Sequence, residues 1–141
     1  LNVQKLGVRI NLQTWNICRK IGEVDFFIRE NRHFIGHVRE SHPEICYWAL
    51  SAGHAMHHSK KTRAGLHERM SLLHSLSACA EDIFRKAVNI FPRKNVALDD
   101  ILDALVLALS AKICRGNLVS LPGVWETDDL GLPMEIVYCG R

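Results

Sequence analysis

The segment ALDDILDALVLALSAKICR, Ala97–Arg115, constrains the fold more than any other part of this chain. Leu98, Ile101, Leu102, Leu105 and Leu109 recur at helical spacing. The spacing predicts a helix whose apolar face must be buried against neighbouring elements. Three carboxylates, Asp99, Asp100 and Asp103, fall in its first two turns. Asp100 and Asp103 are three residues apart and so occupy neighbouring positions on one side. Behind them, Ala104 to Ala108 is wholly apolar. Such a start has two readings. Acidic residues complement the helix dipole, a common effect worth about 0.3–1 kcal/mol. Alternatively, a carboxylate leading into an apolar helix belongs to a site.

The remaining elements follow from the same periodicity. A first helix is expected from about Leu12 to Glu30, with Ile17, Ile21, Val24 and Ile28 at helical steps and Asn11 or Thr14 as cap. Phe34–Glu40 alternates and reads as a strand. Ser41, Pro43 and Glu44 form a capping-box pattern that opens a short helix to about Leu50, with Ile45, Trp48 and Ala49 inward. Ser51–Lys61 is a loop of small residues, histidine and lysine. Thr62 caps a helix carrying Leu66, Met70 and Leu73, and a further helix carries Ala80, Ile83, Phe84, Ala87 and Val88 before Pro92. Gly116 and Asn117 stop the acidic helix. Short β segments are expected near Leu118–Leu121 and Glu135–Tyr138. Helices outnumber strands, so the class is α/β with a small sheet, and nothing in the 141 residues marks a domain cut.

Composition narrows the environment. Hydrophobic residues make up 48% and charged residues 23%, which argues for a packed domain and against disorder. A net charge of +3 permits contact with nucleic acid without demanding it. Five dispersed cysteines fit thiols of a reducing, cytoplasmic compartment better than a disulfide frame or a zinc cluster. No apolar run reaches membrane-spanning length and no secretory pattern opens the chain. The start at Leu1 and the character of Leu1–Asn11 read as part of a longer protein.

Glu40, Asp100 and Asp103 form the sharpest constellation. Glu40 ends the expected strand, where α/β sheets place their chemistry, on the same face as Phe34 and Val38. Acids gathered on a covered face are costly unless a divalent cation lies between them. Oxygen ligands suit Mg²⁺ or Mn²⁺, and such a site can hydrolyse a phosphodiester. Lys60, Lys61, Arg63 and Arg69 form a basic stretch that can hold phosphates, with Lys60, Lys61 and Arg69 the residues expected at the substrate and a solvated helix entrance as the plainer reading. His54, His57 and His58 suggest zinc, but neither a cysteine pair nor an HExxH accompanies them. Glu44 is accounted for by its capping position, and Trp15, Trp48 and Trp125 read as packing residues.

Five blocks, QTWNICRKIGEVD (Gln13–Asp25), RESHPEICYWAL (Arg39–Leu50), HSKKTRAGLHERMSLL (His58–Leu73), DDILDALVLALSA (Asp99–Ala111) and GLPMEIVY (Gly131–Tyr138), resemble in order an uncharacterised "DUF" family of predicted RNase H-like nucleases. The fourth block is also similar to the last catalytic helix of RuvC-type Holliday-junction resolvases, where two aspartates three apart precede an Ala-Leu run. The resemblance implies an RNase H-like α/β fold, helix-rich with a small mixed sheet. It implies a metal-dependent hydrolase of nucleic acid, with Glu40, Asp100 and Asp103 as ligands of Mg²⁺ or Mn²⁺ and Asp99 as the helix-start charge. The superfamily also uses an aspartate on its first strand. No segment here looks like that strand, so the chain reads as the C-terminal part of such a domain, lacking the N-terminal strands. The rival expectation is a non-enzymatic RNase H-like module, whose uncovered sheet edge would promote homodimerisation.

Overall fold

The computed structural model describes residues 11–124 and 126–140 of the chain. Trp125 and the segment before Asn11 lie outside the described residues. The chain forms two compact units, Leu1–Val38 and Arg39–Arg141.

In the first unit, α1 spans Leu12–Glu30, and the Asn11 side chain caps it by accepting from the Thr14 N–H at 2.7 Å. Its surface carries i,i+4 ion pairs, Arg19–Glu23 and Arg29–Asp25. Trp15, Ile17, Ile21, Val24 and Phe26 are exposed. The strand expected at Phe34–Glu40 does not form. Arg32–Phe34 is a 3-10 turn, and the His37 and Val38 N–H groups both donate back to the Phe34 carbonyl. Gly36 has a φ of 85°, a left-handed conformation that glycine enters without a Cβ penalty and that a regular strand excludes. Alternation along FIGHVRE therefore reflects a coiled turn.

The second unit is built around the acidic helix. Its elements are α2 (Pro43–Leu50), α3 (Arg63–Leu76), α4 (Ala80–Ile90), α5 (Leu98–Cys114), β1 (Leu118–Leu121) and β2 (Ile136–Cys139). α5 packs on α2, α3, α4 and β2. Its Ile101, Leu102, Leu105, Val106, Leu109 and Cys114 form the core with Cys46, Tyr47 and Leu50 of α2, Leu73 of α3, Ala80 of α4 and Cys139 of β2. Tyr47 ties α2 to α5 by donating its hydroxyl to the Leu102 carbonyl at 2.9 Å. Trp48, expected inward, is 42% exposed, and Cys46 and Tyr47 take the buried positions beside Ala49. Arg115, with a φ of 45°, and Gly116, at 93°, turn the chain out of α5 through left-handed conformations.

The described sheet has two strands, β1 and β2, paired antiparallel with Leu118 opposite Cys139 and Leu121 opposite Ile136. It is antiparallel where a mixed sheet was expected. The helix-rich α/β class is as the sequence implies.

The capping box expected at Ser41 is also replaced. His42 precedes α2 as its cap residue, without a side-chain hydrogen bond. Ser41 instead donates its hydroxyl to the Val137 carbonyl at 2.7 Å, and Val137 donates its N–H to the Glu40 carbonyl at 2.7 Å. Residues 40 and 41 thus lie along β2 through their polar groups.

Candidate functional site

The start of α5 faces the loop that leads into α3. Ala97 has no side-chain acceptor, so the helix is capped from the other direction: Asp100 Oδ2 accepts from the Ala97 N–H at 3.2 Å. Asp100 is exposed and carries the helix-start role. Asp99 is buried, with Oδ2 2.6 Å from Lys61 Nζ. Asp103 lies one turn further, and its Oδ2 accepts from Lys60 Nζ at 2.6 Å. The sequence paired Asp100 with Asp103 and assigned the helix-start charge to Asp99. In the structure Asp99 and Asp103, four apart on one helix face, are the carboxylates turned toward the lysine loop.

The electrostatics of this pairing are graded. Burial pushes the Asp99 carboxyl up, but the Lys61 ammonium, a backbone N–H and the charge of Lys60 outweigh it and hold the group below its usual value. Lys61 is raised in turn, chiefly by its bond to Asp99. Asp103 Oδ1 is buried and has no hydrogen-bond partner among the described residues. Its charge is also felt by Tyr47, whose hydroxyl is pushed well above the ordinary range first by burial and then by Asp103.

Arg69, expected at a substrate phosphate, is an internal strut. It is 3% exposed, and its Nη2 donates to both carboxylate oxygens of Glu44, at 2.8 and 2.9 Å. Its Nη1 donates to the carbonyls of His58 and Gly65, and the guanidinium lies 5.4 Å from the centre of the Tyr47 ring. Glu44 is therefore the counter-ion of α3, a role its position in the first turn of α2 did not reveal. Arg69 also holds the lysine loop in place through the His58 carbonyl. Gly65 completes that junction: a Cβ there would lie 2.0 Å from the Ser59 carbonyl oxygen.

Glu40 has an exposed side chain, and its main chain rather than its carboxylate is engaged by β2. The buried acid at the sheet is Glu135, which sequence reasoning missed. Arg39 Nη2 donates to its Oε2 at 2.6 Å, Arg39 Nε donates to Oε1, and the Ser120 hydroxyl donates to Oε2 at 2.7 Å. The Arg39 bond, against the opposing effect of burial, holds Glu135 below the usual carboxylate range. A serine on β1 and an acid flanking β2 were the available signals.

Among the described residues, no three His, Cys, Asp or Glu side chains gather in a way that could hold a metal ion. Glu40, Asp100 and Asp103 are thus not brought together, and neither are His54, His57 and His58. What the fold does bring together, among the described residues, is a buried carboxylate, Asp99, a half-buried one, Asp103, two lysines and one carboxylate oxygen, Asp103 Oδ1, without a hydrogen-bond partner.

The family comparison falls on this arrangement. A family model described as "Protein of unknown function (DUF429)" matches residues 1–127, which include Glu40, both lysines and all three α5 aspartates. The chain belongs to the DUF429 family. No curated protein and no solved structure matches the chain. The DUF429 match ends before β2, so Glu135 lies beyond it.

Proposed function

We propose that this DUF429 member is an RNase H-like, metal-dependent hydrolase of nucleic-acid phosphodiesters, with α5 supplying the carboxylates. The observation that carries the reading is Asp103: a half-buried acid with one oxygen on Lys60 and the other, itself buried, without a hydrogen-bond partner among the described residues. A buried carboxylate oxygen is costly to leave unsatisfied. Hard cations seek such oxygens, and Mg²⁺ is often held by only one or two carboxylates, with water and substrate phosphates completing its shell. Asp103 and Asp99 fit that donor set. When bound, the cation would activate water and stabilise the leaving oxygen.

The chain's own groups have definable parts. Asp99 stays ionised at neutral pH because Lys61 and Lys60 hold it charged. Lys60 and Lys61 neutralise the pair in the free protein, and their long stems let the ammonium groups pass to a substrate phosphate. Arg69 positions the loop and does not touch the substrate. Glu40, exposed beside β2, is the third acid of the proposal and requires the substrate or cation to draw it in. The test is cleavage of DNA and RNA oligonucleotides with Mg²⁺ or Mn²⁺. Asp103→Asn is expected to lower the rate at least tenfold, the scale on which even outer-shell partners of metals matter. Undiminished cleavage by that variant would remove Asp103 from the reaction.

A second reading has its own support. Asp99 and Asp103 each already have a lysine, and β1 has no ladder partner on its outer side among the described residues. These features suit a non-enzymatic module that forms a homodimer through β1. Its signature is a concentration-dependent mass in sedimentation, lost on substituting Leu118, whose N–H points to the outer side, with proline, together with no cleavage under any metal.

A further inference from the structure

A second basic feature borders the lysine loop at His58. A cleft of about 510 Å³ is lined by His58, Arg63, Ala64, His67 and Glu68. Arg63 and His67 are four apart on α3 and project from one face. His58 enters from the loop. Glu68 keeps its negative charge in this cleft, but both its oxygens accept from backbone N–H groups and neither pairs with Arg63. Oε1 accepts from the His57 N–H at 2.8 Å and Oε2 from the His58 N–H at 3.0 Å. Those bonds, His57 first, hold its carboxyl below the usual range. Their structural effect is to pin the His58 backbone to α3, in the same cleft as Arg63 and His67. Among the described residues Arg63 has no ion pair.

We infer that this cleft is a binding site for a phosphate group, held by Arg63, His58 and His67 and distinct from the carboxylate pair on α5. A guanidinium without a counter-ion presents a fork of donors matched to phosphate oxygens. Each imidazole adds a donor in either protonation state. The volume falls within the range of small-ligand sites and admits a phosphate with its sugar. The loop also links the two features: Lys60 follows His58 by two residues, so their Cα atoms lie within about 8 Å. Phosphate in the cleft would therefore sit on the same short segment that carries the lysines to Asp99 and Asp103. The inference requires no metal and no cleavage.

The experiment is titration of the whole chain, in the presence of a chelator, with inorganic phosphate and then with a single-stranded oligonucleotide as competitor. Phosphate should bind the wild type. Arg63→Gln and His67→Gln, both at exposed positions, should weaken it, Arg63→Gln by at least about tenfold. Lys86→Gln, an exposed cation on α4, should leave it unchanged. Displacement of phosphate by the oligonucleotide identifies the nucleic-acid backbone as the source of the group, and no displacement identifies a free phosphate ester. Absence of phosphate binding, or equal effects of Arg63→Gln and Lys86→Gln, overturns the site. Because chelator is present throughout, a failure here is independent of the hydrolase reading, which depends on metal.

Discussion

At the scale of single residues, the fold spends its buried charge in pairs. Arg69 with Glu44 is the most consequential. Glu44→Gln leaves a guanidinium inside the protein with one weakened partner, and equilibrium denaturation should record a loss of about 2 kcal/mol. Lys60→Gln removes the ammonium from Asp103 and should destabilise the metal-free protein by about 1 kcal/mol. The same variant should bind Mn²⁺ more tightly than wild type, since the lysine competes with the cation. The acids have a common pH signature. Asp99, Glu68 and Glu135 are all held below their ordinary values, so the folded state binds their protons less readily than the unfolded chain. Their stabilisation is present above the unfolded values and is lost as pH falls through the folded ones. Denaturation midpoints should be flat with respect to these groups near neutrality and drop below about pH 4. Glu135→Gln should make that drop shallower. Lys61 runs the other way: its raised value confers stability that is lost only in strongly alkaline solution.

At the scale of elements, periodicity explains what was legible. Helix α1 spans Leu12–Glu30 as read, and α5, β1 and β2 fall within a residue of their expected bounds. Apolar spacing over many residues is a strong local signal. Phe34–Glu40 shows its weakness over few: seven alternating residues were compatible with a strand, but Gly36 and the Asn31 to Phe34 turn decide the backbone. Asp99 was misplaced for a related reason. The leucines drew attention to one stripe, whereas Val106 and Ser110 are also buried and widen the hidden face to the side of Asp99 and Asp103. The pairings that define the site were not legible. Arg69 and Glu44 are 25 residues apart, and Lys60 and Asp103 are 43 apart. No local pattern encodes such contacts. The structure makes α5 the keystone, with Leu102 fully buried. Leu102→Ala should cost about 3 kcal/mol in denaturant unfolding and loosen α2 with it.

At the scale of the molecule, the unit Arg39–Arg141 is one central helix with three neighbouring helices and a small sheet set around it, and the acidic end of that helix meets a basic loop. The DUF429 match covers that whole arrangement up to the turn before β2. The cleft inferred to hold phosphate and the carboxylate pair share the loop that carries His58, Lys60 and Lys61, so anion binding and cation binding are expected to be felt by each other through Lys60 and Lys61. The central claim is that the Asp103 carboxylate is a seat for a divalent cation. Thermal unfolding of wild type and Asp103→Asn with and without Mn²⁺ tests it most directly. A ligand that binds only the folded state stabilises it by mass action, by about 2.7 kcal/mol at a hundredfold excess over Kd. The account predicts a Mn²⁺-dependent rise in the wild-type midpoint that Asp103→Asn loses. A wild-type midpoint indifferent to Mn²⁺, or an equal rise in both proteins, would contradict it.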